Sequence, residues 1–439
     1  MKKKLKVLLI IEQCNPEWSS VPLVGYNYYK EISQLVDCTL VTHGRNEEAL
    51  QKFPEHKNII YIHEGSFSPI YHKLVSSITF QGRVNWPLYN ALCYPIYEEF
   101  NNQVYQQFHI SVSKGDYDIV HAITPMMPRY PVKIIKACHN TPFLLGPVNG
   151  GVPFPPGFQK VARQEFAYFN FLRAVGRALI PGYVETYQQA DKVLSGSTYT
   201  LNWLKDTFSI PDNRISLFYE NGIKQEFIET QNAPKNLNYI NLLFVGRLVP
   251  YKGADMLLEA ISQLDQEIQN KIRLTIVGDG SEKKPLEQQV KELKLESLVK
   301  FTGWVKSQDI VQYYKNSDIF CFPSIREFGG AVVLEAMACG LPCIVVNNGG
   351  IGEYVTEETG FRIEPSSREY VVREVADKIQ ILVNDQTLRN QMSFKCVERV
   401  KDFEWGRKAE KIREIYEDLV KQKADKTLNS DLALKKVEA

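Results

Sequence analysis

Residues 323–355 read PSIREFGGAVVLEAMACGLPCIVVNNGGIGEYV, and the order of patterns in this stretch is typical of an open parallel α/β sheet. The apolar run SDIFCFPS, which overlaps its start, predicts a buried strand that ends in a loop with Glu327, Gly329 and Gly330. A helical run with a second acid, Glu335, follows, and a second buried strand, CIVV, comes after a Gly-Leu-Pro stop. A strand that leads through a glycine loop into a helix presents backbone N–H groups to a phosphate. The stretch therefore predicts a phosphate site at a sheet edge.

The two acids beside this loop indicate what else the ligand contains. Neutralising a phosphate does not require Glu327 or Glu335, whereas carboxylates readily accept hydrogen bonds from hydroxyl groups. A ligand with phosphate in its middle and polyols at both ends, such as a nucleotide sugar, fits both features. The alternative is a surface acid and a helix-face acid without a ligand.

Length and composition bound the class of protein. At 439 residues the chain is too long for one ordinary core, so two domains are expected. With 52 Lys+Arg against 51 Asp+Glu there is no overall basic field, which argues against a nucleic-acid partner. All seven histidines lie between His43 and His139, which excludes a histidine-based metal site in the second half.

The cysteines and the N-terminus predict a cytoplasmic protein. The eight cysteines lie mostly in apolar runs and show no paired CxxC spacing, as expected for buried thiols in a reducing compartment. The start MKKKLKVLLII resembles a signal peptide, but Glu12 and the polar residues after it end the apolar run too early. No apolar run approaches the ~20 residues needed to span a bilayer.

The alternation of strands and helices predicts two doubly wound α/β domains that face each other. KVLLII at residues 6–11 is the first buried strand, and the pattern restarts with NLLFVGR after the polar residues 225–238, which we interpret as a linker. We expect a first domain over 1–222 and a nucleotide-sugar-binding domain over 223–403. A C-terminal helix at about 404–422 should cross back to the first domain, and 423–439 should form a polar tail.

Two further glycine loops of the second half carry candidate ligand groups. GRLVPYKG follows a strand and opens a helix, so Arg247 and Lys252 would lie at the carboxyl edge of the sheet, where two cations suit a diphosphate. VGDG, with Gly278, follows the next strand and would reach the same edge. Ordinary solvated loops are the alternative for both.

The first half offers weaker candidates. His121 ends the predicted strand of DIVHAIT and would face the cleft as a catalytic residue, although a lone strand-end histidine is more often structural. The turn around Gly25 and the loop GPVNGG, with Asn149, Gly150 and Gly151, would approach the cleft through glycines that permit close backbone contact. A D-x-D pair before His121 leaves a metal-dependent transferase of another fold open as a minor alternative.

Together these motifs resemble those of the family 4 glycosyltransferases, retaining enzymes of the GT-B architecture. The similar segments are GRLVPYKG, VGDG, FTGWV, the acid-x7-acid stretch with LEAMACGLPCIVV, and GGIGEYV, which cover about residues 240–356 in the family's order. The first half is similar more loosely, through DIVHAIT, SGS and YENGI. The resemblance implies transfer of a sugar from a UDP-, GDP- or ADP-linked donor to a hydroxyl of a glycan or lipid-linked acceptor, with retention at the anomeric carbon.

The resemblance also implies roles for individual residues. Arg247 and Lys252 would hold the diphosphate and Glu335 the ribose hydroxyls, while Glu327 would contact the hydroxyls of the donor sugar. The loop that follows Glu327 would complete the donor site through Phe328, Gly329 and Gly330, and Gly25 and Gly278 would belong to it as well. The first domain would take the acceptor, with Asn149, Gly150 and Gly151 as acceptor-side candidates. Such enzymes need no metal or other cofactor and usually lack an enzyme nucleophile, so none is assigned.

The sequence departs from the family's motifs at two places and shows one further local similarity. Many family members read Glu-Gly-Phe-Gly where this chain has Glu-Phe-Gly-Gly, and many have a glycine pair where VPLVG offers only Gly25. GPVNGG resembles a loop of a bacterial polysaccharide-forming subset, which indicates cell-surface glycan synthesis. The alternatives are a GT-B epimerase or phosphorylase and a sugar-nucleotide-binding protein without catalysis.

Aromatic and basic helices suggest contact with a membrane. Residues 71–108 and 159–180 read as helices rich in aromatic side chains, and the second carries Arg163, Arg173 and Arg177. Such helices would let a peripheral protein reach a lipid-linked acceptor. Packing between helices of the core is the alternative.

Overall fold

The computed structural model describes residues 4–81, 83–229 and 239–437, which form two compact units. The first unit contains the described residues of three segments, Met1–Gly151, Phe169–Glu220 and Trp405–Ala439. The second contains those of Val152–Tyr168 and Asn221–Glu404.

Nine strands belong to the first unit. In chain order they are β1 (Lys6–Ile10), β2 (Asp37–His43), β3 (Ile59–Ile62), β4 (Phe80–Gln81), β5 (Arg83–Val84), β6 (Ile119–Ala122), β7 (Phe143–Val148), β8 (Lys192–Ser195) and β9 (Ile215–Leu217). Seven of them form a parallel sheet in the order β3-β2-β1-β6-β7-β8-β9, while β4 and β5 pair separately and antiparallel.

Helices cover the sheets. The first nine are α1 (Val21–Leu35), α2 (Glu47–Leu50), α3 (Phe67–Thr79), α4 (Trp86–Leu92), α5 (Tyr94–Ser113), α6 (Gln159–Gln164), α7 (Leu172–Leu179), α8 (Tyr183–Gln189) and α9 (Thr198–Phe208). All of these except α6 belong to the first unit.

Strand β1 shows why this sheet is buried on both faces. After the exposed Lys6 its residues are all apolar, and alternate side chains enter different clusters: Leu8 and Ile10 pack on one face, Val7 and Leu9 on the other. A continuous apolar strand is expected in a parallel sheet covered by helices on both sides. Each fully buried aliphatic side chain of this kind contributes ~1.5–3 kcal/mol.

The second unit has six strands in one parallel sheet. They are β10 (Ile240–Val245), β11 (Ile272–Val277), β12 (Val299–Gly303), β13 (Ile319–Phe322), β14 (Cys343–Val346) and β15 (Gly360–Ile363). Their order is β12-β11-β10-β13-β14-β15, so the chain winds outward in opposite directions from β10 and β13. The connections that leave these two neighbouring strands lead to opposite edges of the sheet, and ligands of open α/β sheets bind at such a switch point.

The remaining helices follow in chain order. They are α10 (Gln225–Glu229), α11 (Ala254–Ser262), α12 (Gln266–Lys271), α13 (Lys283–Glu292), α14 (Ser307–Lys315), α15 (Ala331–Ala338), α16 (Gly350–Tyr354), α17 (Arg368–Asn384), α18 (Gln386–Val400) and α19 (Trp405–Val437). All except α19 belong to the second unit.

The C-terminal helix returns to the first unit, as predicted. Trp405, Ala409, Ile412, Tyr416 and Leu419 recur every three or four residues and are buried in the cluster that also contains the apolar side chains of α1. This spacing forms one apolar stripe along α19, so the stripe explains why the last helix of the chain docks on its first helix.

The structure differs from the predicted boundaries in three places. Residues 152–168 group with the second unit instead of the first. The predicted helical region 159–180 is divided into α6, a 3-10 segment at Ala167–Phe171 and α7, with Phe166 at a φ of +56° between them. The predicted polar tail is helical as far as Val437, because α19 does not end near residue 422.

Part of the predicted linker is helical. Residues 225–229 of the linker form α10, and 230–238 lie outside the described residues. Within residues 4–81, 83–229 and 239–437, no helix combines the length and the apolar content that crossing a bilayer requires.

Candidate functional site

The loops after β10 and β13 touch each other at the switch point of the second sheet. The backbone N–H of Ile325 donates to the carbonyl oxygen of Tyr251 at 2.9 Å. Gly253 has a φ of +74°, and a Cβ atom there would lie 2.3 Å from the carbonyl oxygen of Pro323. Only glycine permits this approach, which places the end of GRLVPYKG beside the start of PSIREFGG.

This contact brings Lys252 and Glu327 together. The Lys252 ammonium forms an ion pair with Oε1 of Glu327, and the two side chains are only 12% and 10% exposed. Ser324 Oγ donates to the same carboxylate oxygen at 3.1 Å. Because water is largely excluded, the pair is held more strongly than a surface ion pair. Ser324 was not among the predicted residues, although its position three residues before Glu327 in the same loop was a usable signal.

Aromatic rings surround the Lys252 ammonium. Nζ lies 5.0 Å from the ring centroid of Phe322 and 5.4 Å from that of Tyr251. The Tyr251 hydroxyl accepts a hydrogen bond from the exposed guanidinium of Arg247 at 2.9 Å. Tyr251 therefore links the two predicted diphosphate ligands within one loop, and cation–π contacts help to hold Lys252 in place.

Two glycines position the backbone of Glu327. Gly349 has a φ of +91°, and a Cβ atom there would lie 1.8 Å from the carbonyl oxygen of Glu327. The N–H of Gly350 donates to the carbonyl oxygens of Glu327 at 3.2 Å and Phe328 at 3.0 Å. Gly330 has a φ of +52° and precedes the first residue of α15. The loop after β14 thus supports the loop that carries the acid.

Arg326 explains why residues 152–168 belong to the second unit. Its Nε donates to the carbonyl oxygen of Val152 at 2.7 Å, and its guanidinium carbon lies 4.7 Å from the ring centroid of Phe154 and 5.0 Å from that of Phe328. Asn348 Nδ2 donates to Pro153 O at 3.1 Å. The predicted donor ligand Phe328 therefore packs on a guanidinium, a contact that the sequence pattern did not indicate.

Glu335 lies in a different environment from Glu327. One of its carboxylate oxygens accepts a hydrogen bond from the Tyr314 hydroxyl at 2.7 Å. Burial raises the pKa of Glu335, while this hydrogen bond and the ammonium of Lys224 oppose the shift. The two predicted acids are thus held by separate partners.

Gly278 has a backbone role at the same sheet edge. Its φ is +144°, and a Cβ atom there would lie 1.9 Å from the carbonyl oxygen of Gly246. Its N–H donates to the carbonyl oxygen of Gly303 at 3.0 Å. The residue lets the loops after β10, β11 and β12 approach one another closely, as expected for glycine at such a position.

The predicted acceptor-side loop of the first unit is firmly held. Asn149 is buried, and its Oδ1 accepts hydrogen bonds from Ser197 Oγ at 3.0 Å and Thr200 Oγ1 at 2.8 Å. The N–H of Gly150 donates to Thr200 Oγ1 at 3.1 Å, and Gly151 has a φ of +81°. The loop GPVNGG is therefore joined to the segment SGST that follows β8.

The sequence predicted a turn around Gly25, but the structure places this residue in a helix. It is the fifth residue of α1 and is buried. A Cβ atom there would lie 2.3 Å from the carbonyl oxygen of Gln13 and 2.7 Å from a methyl group of Ile11. The glycine allows α1 to pack closely on the chain that leaves β1.

His121 lies inside β6 and does not end the strand. The ring is fully buried in the first unit, with Nε2 2.6 Å from the carbonyl oxygen of Gly146 and Nδ1 2.6 Å from the Tyr416 hydroxyl. A carbonyl oxygen can only accept, so Nε2 carries the proton and Nδ1 accepts from Tyr416. Both ring nitrogens are hydrogen-bonded within the unit, so neither is available in this arrangement for the predicted contact with substrate.

The buried ring predicts a specific acid sensitivity. Burial lowers the pKa of His121 to about 4 from its ordinary 6.5. Its contribution to stability is therefore present above pH 6.5 and is lost as the pH falls towards 4. Between pH 7 and pH 4.5 the free energy of unfolding of the wild type should fall by ~2–3 kcal/mol more than that of His121→Gln. Urea denaturation at both pH values measures this difference, and equal losses in the two proteins would contradict it.

The comparison with protein families concerns the second unit. Residues 225–395 match the family model described as glycosyl transferases group 1. This segment contains every candidate group of the switch point, from Arg247 to Gly350.

Curated relatives match over part of their length. An uncharacterized glycosyltransferase of Methanocaldococcus jannaschii is 29% identical over 231 residues, which are 52% of this chain and 60% of the relative. A D-inositol 3-phosphate glycosyltransferase of Corynebacterium glutamicum is 31% identical over 183 residues, 40% of this chain and 43% of the relative. The chain thus spans about half the length of these curated relatives.

A solved structure matches over nearly the whole chain. The crystal structure of Anabaena HepE in complex with UDP and glucose superimposes with a TM-score of 0.60 at 18% identity, covering 94% of this chain and all of that chain. Together with the two parallel sheets, this likeness confirms the predicted GT-B fold class. The family model and the relatives show that the second unit is similar to group 1 glycosyltransferases.

Proposed function

We propose that the protein is a retaining glycosyltransferase of family 4 that transfers a sugar from a nucleotide-diphosphate donor to an acceptor hydroxyl. The observation that carries the proposal is the convergence of Lys252, Glu327 and Ser324, with Arg247 in the same loop system, at the switch point of the second sheet. Cations beside a hydroxyl-binding acid are what a sugar diphosphate requires.

The cations would act on the leaving group. As the bond between sugar and diphosphate breaks, negative charge develops on the diphosphate, and preorganised cations stabilise that charge more than they stabilise the intact donor. Lys252 is paired with Glu327, whose carboxylate also accepts a hydrogen bond from Ser324, so the ammonium is positioned in advance. The exposed Arg247 would provide the second, bidentate contact. Backbone N–H groups at Gly329, Gly330 and the start of α15 would add the positive end of a helix dipole.

The acids would bind the two sugars of the donor. Glu327 would accept hydrogen bonds from hydroxyls of the transferred sugar, with Gly278 and Phe328 in neighbouring loops of the site. Glu335 would accept from the ribose hydroxyls, since a carboxylate bonded to Tyr314 can still accept further hydrogen bonds. We assign no enzyme nucleophile, and the leaving phosphate would assist deprotonation of the acceptor on the same face.

We infer that the reaction needs no metal or other cofactor, because Arg247, Lys252 and the helix dipole can supply the electrostatic stabilisation of the diphosphate. The acceptor would be a glycan or a lipid-linked glycan at the first unit, near Asn149, Gly150 and Gly151. The resemblance of GPVNGG to a loop of polysaccharide-forming enzymes favours cytoplasmic synthesis of a cell-surface glycan.

A donor panel tests the proposed function. Purified protein is incubated with UDP-, GDP- and ADP-sugars in chelator, with and without a mixed oligosaccharide acceptor pool, and release of nucleoside diphosphate is measured. UDP-glucose is the first choice because HepE was solved with UDP and glucose. We expect consumption of at least one donor, and a product whose anomeric configuration, read by NMR, equals that of the donor.

The other outcomes distinguish the alternatives. Tight binding of a donor without consumption with any acceptor would favour a binding protein. Conversion of the donor without an acceptor, into an isomeric sugar or a sugar phosphate, would favour an epimerase or a phosphorylase. Inversion at the anomeric carbon would refute the retaining mechanism.

A further inference from the structure

Helix α3 of the first unit exposes its apolar side. Four large apolar side chains recur every three or four residues and are all exposed: Phe67, Ile70, Leu74 and Ile78. The buried residues of α3 are instead Ser68, Val75 and Thr79. A helix of a globular protein normally turns its large apolar side chains towards the core, so α3 has this arrangement largely inverted.

Helix α7 shows the same inversion. Phe171, Val175 and Leu179 are spaced four residues apart and exposed, Leu179 by 74%, and no residue of α7 is buried. Arg173 and Arg177 lie on the opposite side of this helix from these three apolar residues, and the two arginines are less exposed than the three apolar residues. The Arg177 guanidinium lies 5.8 Å from the ring of Trp203 in the same unit.

Helix α4 lies between these two helices. It contacts both α3 and α7, and no residue of α4 is buried either, although its sequence is WPLYNAL. Trp86 is exposed and packs edge-on against Tyr89, with ring centroids 5.7 Å apart. Three neighbouring helices thus expose large apolar side chains, which together we call the α3–α7 face, and large exposed apolar patches mark interaction sites.

The charged side chains within the stretches that carry this face are basic. The sequence contains no Asp or Glu from residue 65 to residue 97 or from 166 to 184, whereas Lys73, Arg83, Arg173 and Arg177 lie within these stretches. The acids that approach α3, Glu98 and Glu99, are at its N-terminal end. There Glu98 is bonded to Tyr94, and Glu99 to the N–H of Gly65 and the Ser68 hydroxyl.

We propose that the α3–α7 face docks on the surface of an anionic membrane. Helices with an apolar side and basic side chains beside or opposite it lie in the plane of a lipid interface, where the apolar side chains enter the acyl region and the cations attract anionic headgroups. A second copy of the chain fits less well. A two-fold interface sets the same patch against itself, and the basic side chains of the patch's own stretches would then face those of its copy.

Vesicle flotation tests the proposal without any need for enzymatic activity, so its failure is distinguishable from failure of the proposed function. The full chain is mixed with vesicles of phosphatidylcholine and phosphatidylglycerol, or with vesicles of phosphatidylcholine alone. We expect the wild type to float with the anionic vesicles, and less so when salt is added. Leu74→Glu/Ile78→Glu and Leu179→Glu should each weaken binding by at least about 10-fold, because they place a charge in the acyl region.

A matched variant controls for the added charge. Ile110 lies near the C-terminal end of α5 in the same unit, outside the three helices that carry the α3–α7 face, and is 56% exposed, as is Leu74. Ile110→Glu should keep wild-type binding, and unchanged circular dichroism of all variants shows that they are folded. A wild type that stays in the bottom fraction with anionic vesicles overturns the proposal. Glu variants that float as well as the wild type also overturn it. A third contrary result is a wild type that binds no vesicles but forms a dimer, which the α3 variant converts to a monomer.

Discussion

Lys252→Ala is expected to lower kcat for sugar transfer by about 100- to 1,000-fold, because it removes a preorganised charge from the leaving diphosphate. The ammonium is nearly enclosed, paired with Glu327 and close to the rings of Phe322 and Tyr251, so solvent cannot replace it readily. The effect should be larger on kcat than on KM, since the charge that Lys252 stabilises develops in the transition state. Steady-state release of nucleoside diphosphate measures both constants.

Two further variants separate the electrostatic role from a structural one. Lys252→Ala leaves a largely buried carboxylate without its cation, which by itself destabilises a protein. Lys252→Gln can still donate a hydrogen bond to Glu327 but carries no charge, and it should lose turnover to a similar extent. Lys271→Ala removes a lysine that pairs with Glu267 on the surface and should keep wild-type turnover. Near wild-type turnover in Lys252→Gln would refute the role of the charge.

Gly349→Ala is expected to destabilise the second unit by ~3 kcal/mol or more and to abolish most of the transfer activity. A Cβ atom at this position would lie 1.8 Å from the carbonyl oxygen of Glu327, a distance at which one of the two backbones must move. A φ of +91° with ψ near 180° is in addition a conformation that essentially only glycine adopts. Urea denaturation of the purified variant measures the loss, and donor consumption below the transition measures the displacement of Glu327.

Gly115→Ala is the matched control for this substitution. Gly115 has a φ of +77°, but no atom lies within 4 Å of the position its Cβ would take. Its replacement therefore carries the backbone penalty of ~1–2 kcal/mol without a steric clash. Equal stability losses in the two alanine variants would show that the contact between Gly349 and Glu327 is unimportant.

The switch-point loops were largely predictable because their residues follow continuous apolar strands. Buried parallel strands are predicted by three continuous apolar runs, NLLFV, RLTIV and IFCF. The carboxyl ends of such strands meet at one edge of the sheet. The sequence could not show that Lys252 and Glu327 pair directly. That contact depends on the approach of Gly253 to Pro323, which joins residues 70 positions apart in the chain.

The errors concern features that depend on tertiary packing. The end of a short strand is set by its pairing with neighbouring strands. His121 pairs with Leu9 and Leu144 and therefore lies within β6 and not at its end. A glycine in a helix and a glycine in a turn look alike in one sequence, and Gly25 proved to be a packing site. Residues 152–168 join the second unit through contacts between residues far apart in the chain, such as those of Arg326 and Asn348, which no local pattern indicates.

Isothermal titration of UDP, GDP and ADP into the protein in chelator is the most direct test of the proposed donor site. At least one nucleoside diphosphate should bind the wild type with one-to-one stoichiometry, and Lys252→Gln should bind it at least about 10-fold more weakly because a charge-assisted contact to phosphate is lost. Lys271→Ala should bind as the wild type does. Absence of binding for all three nucleotides, or equal affinity in Lys252→Gln, would contradict the assignment of the diphosphate to the loops after β10 and β13.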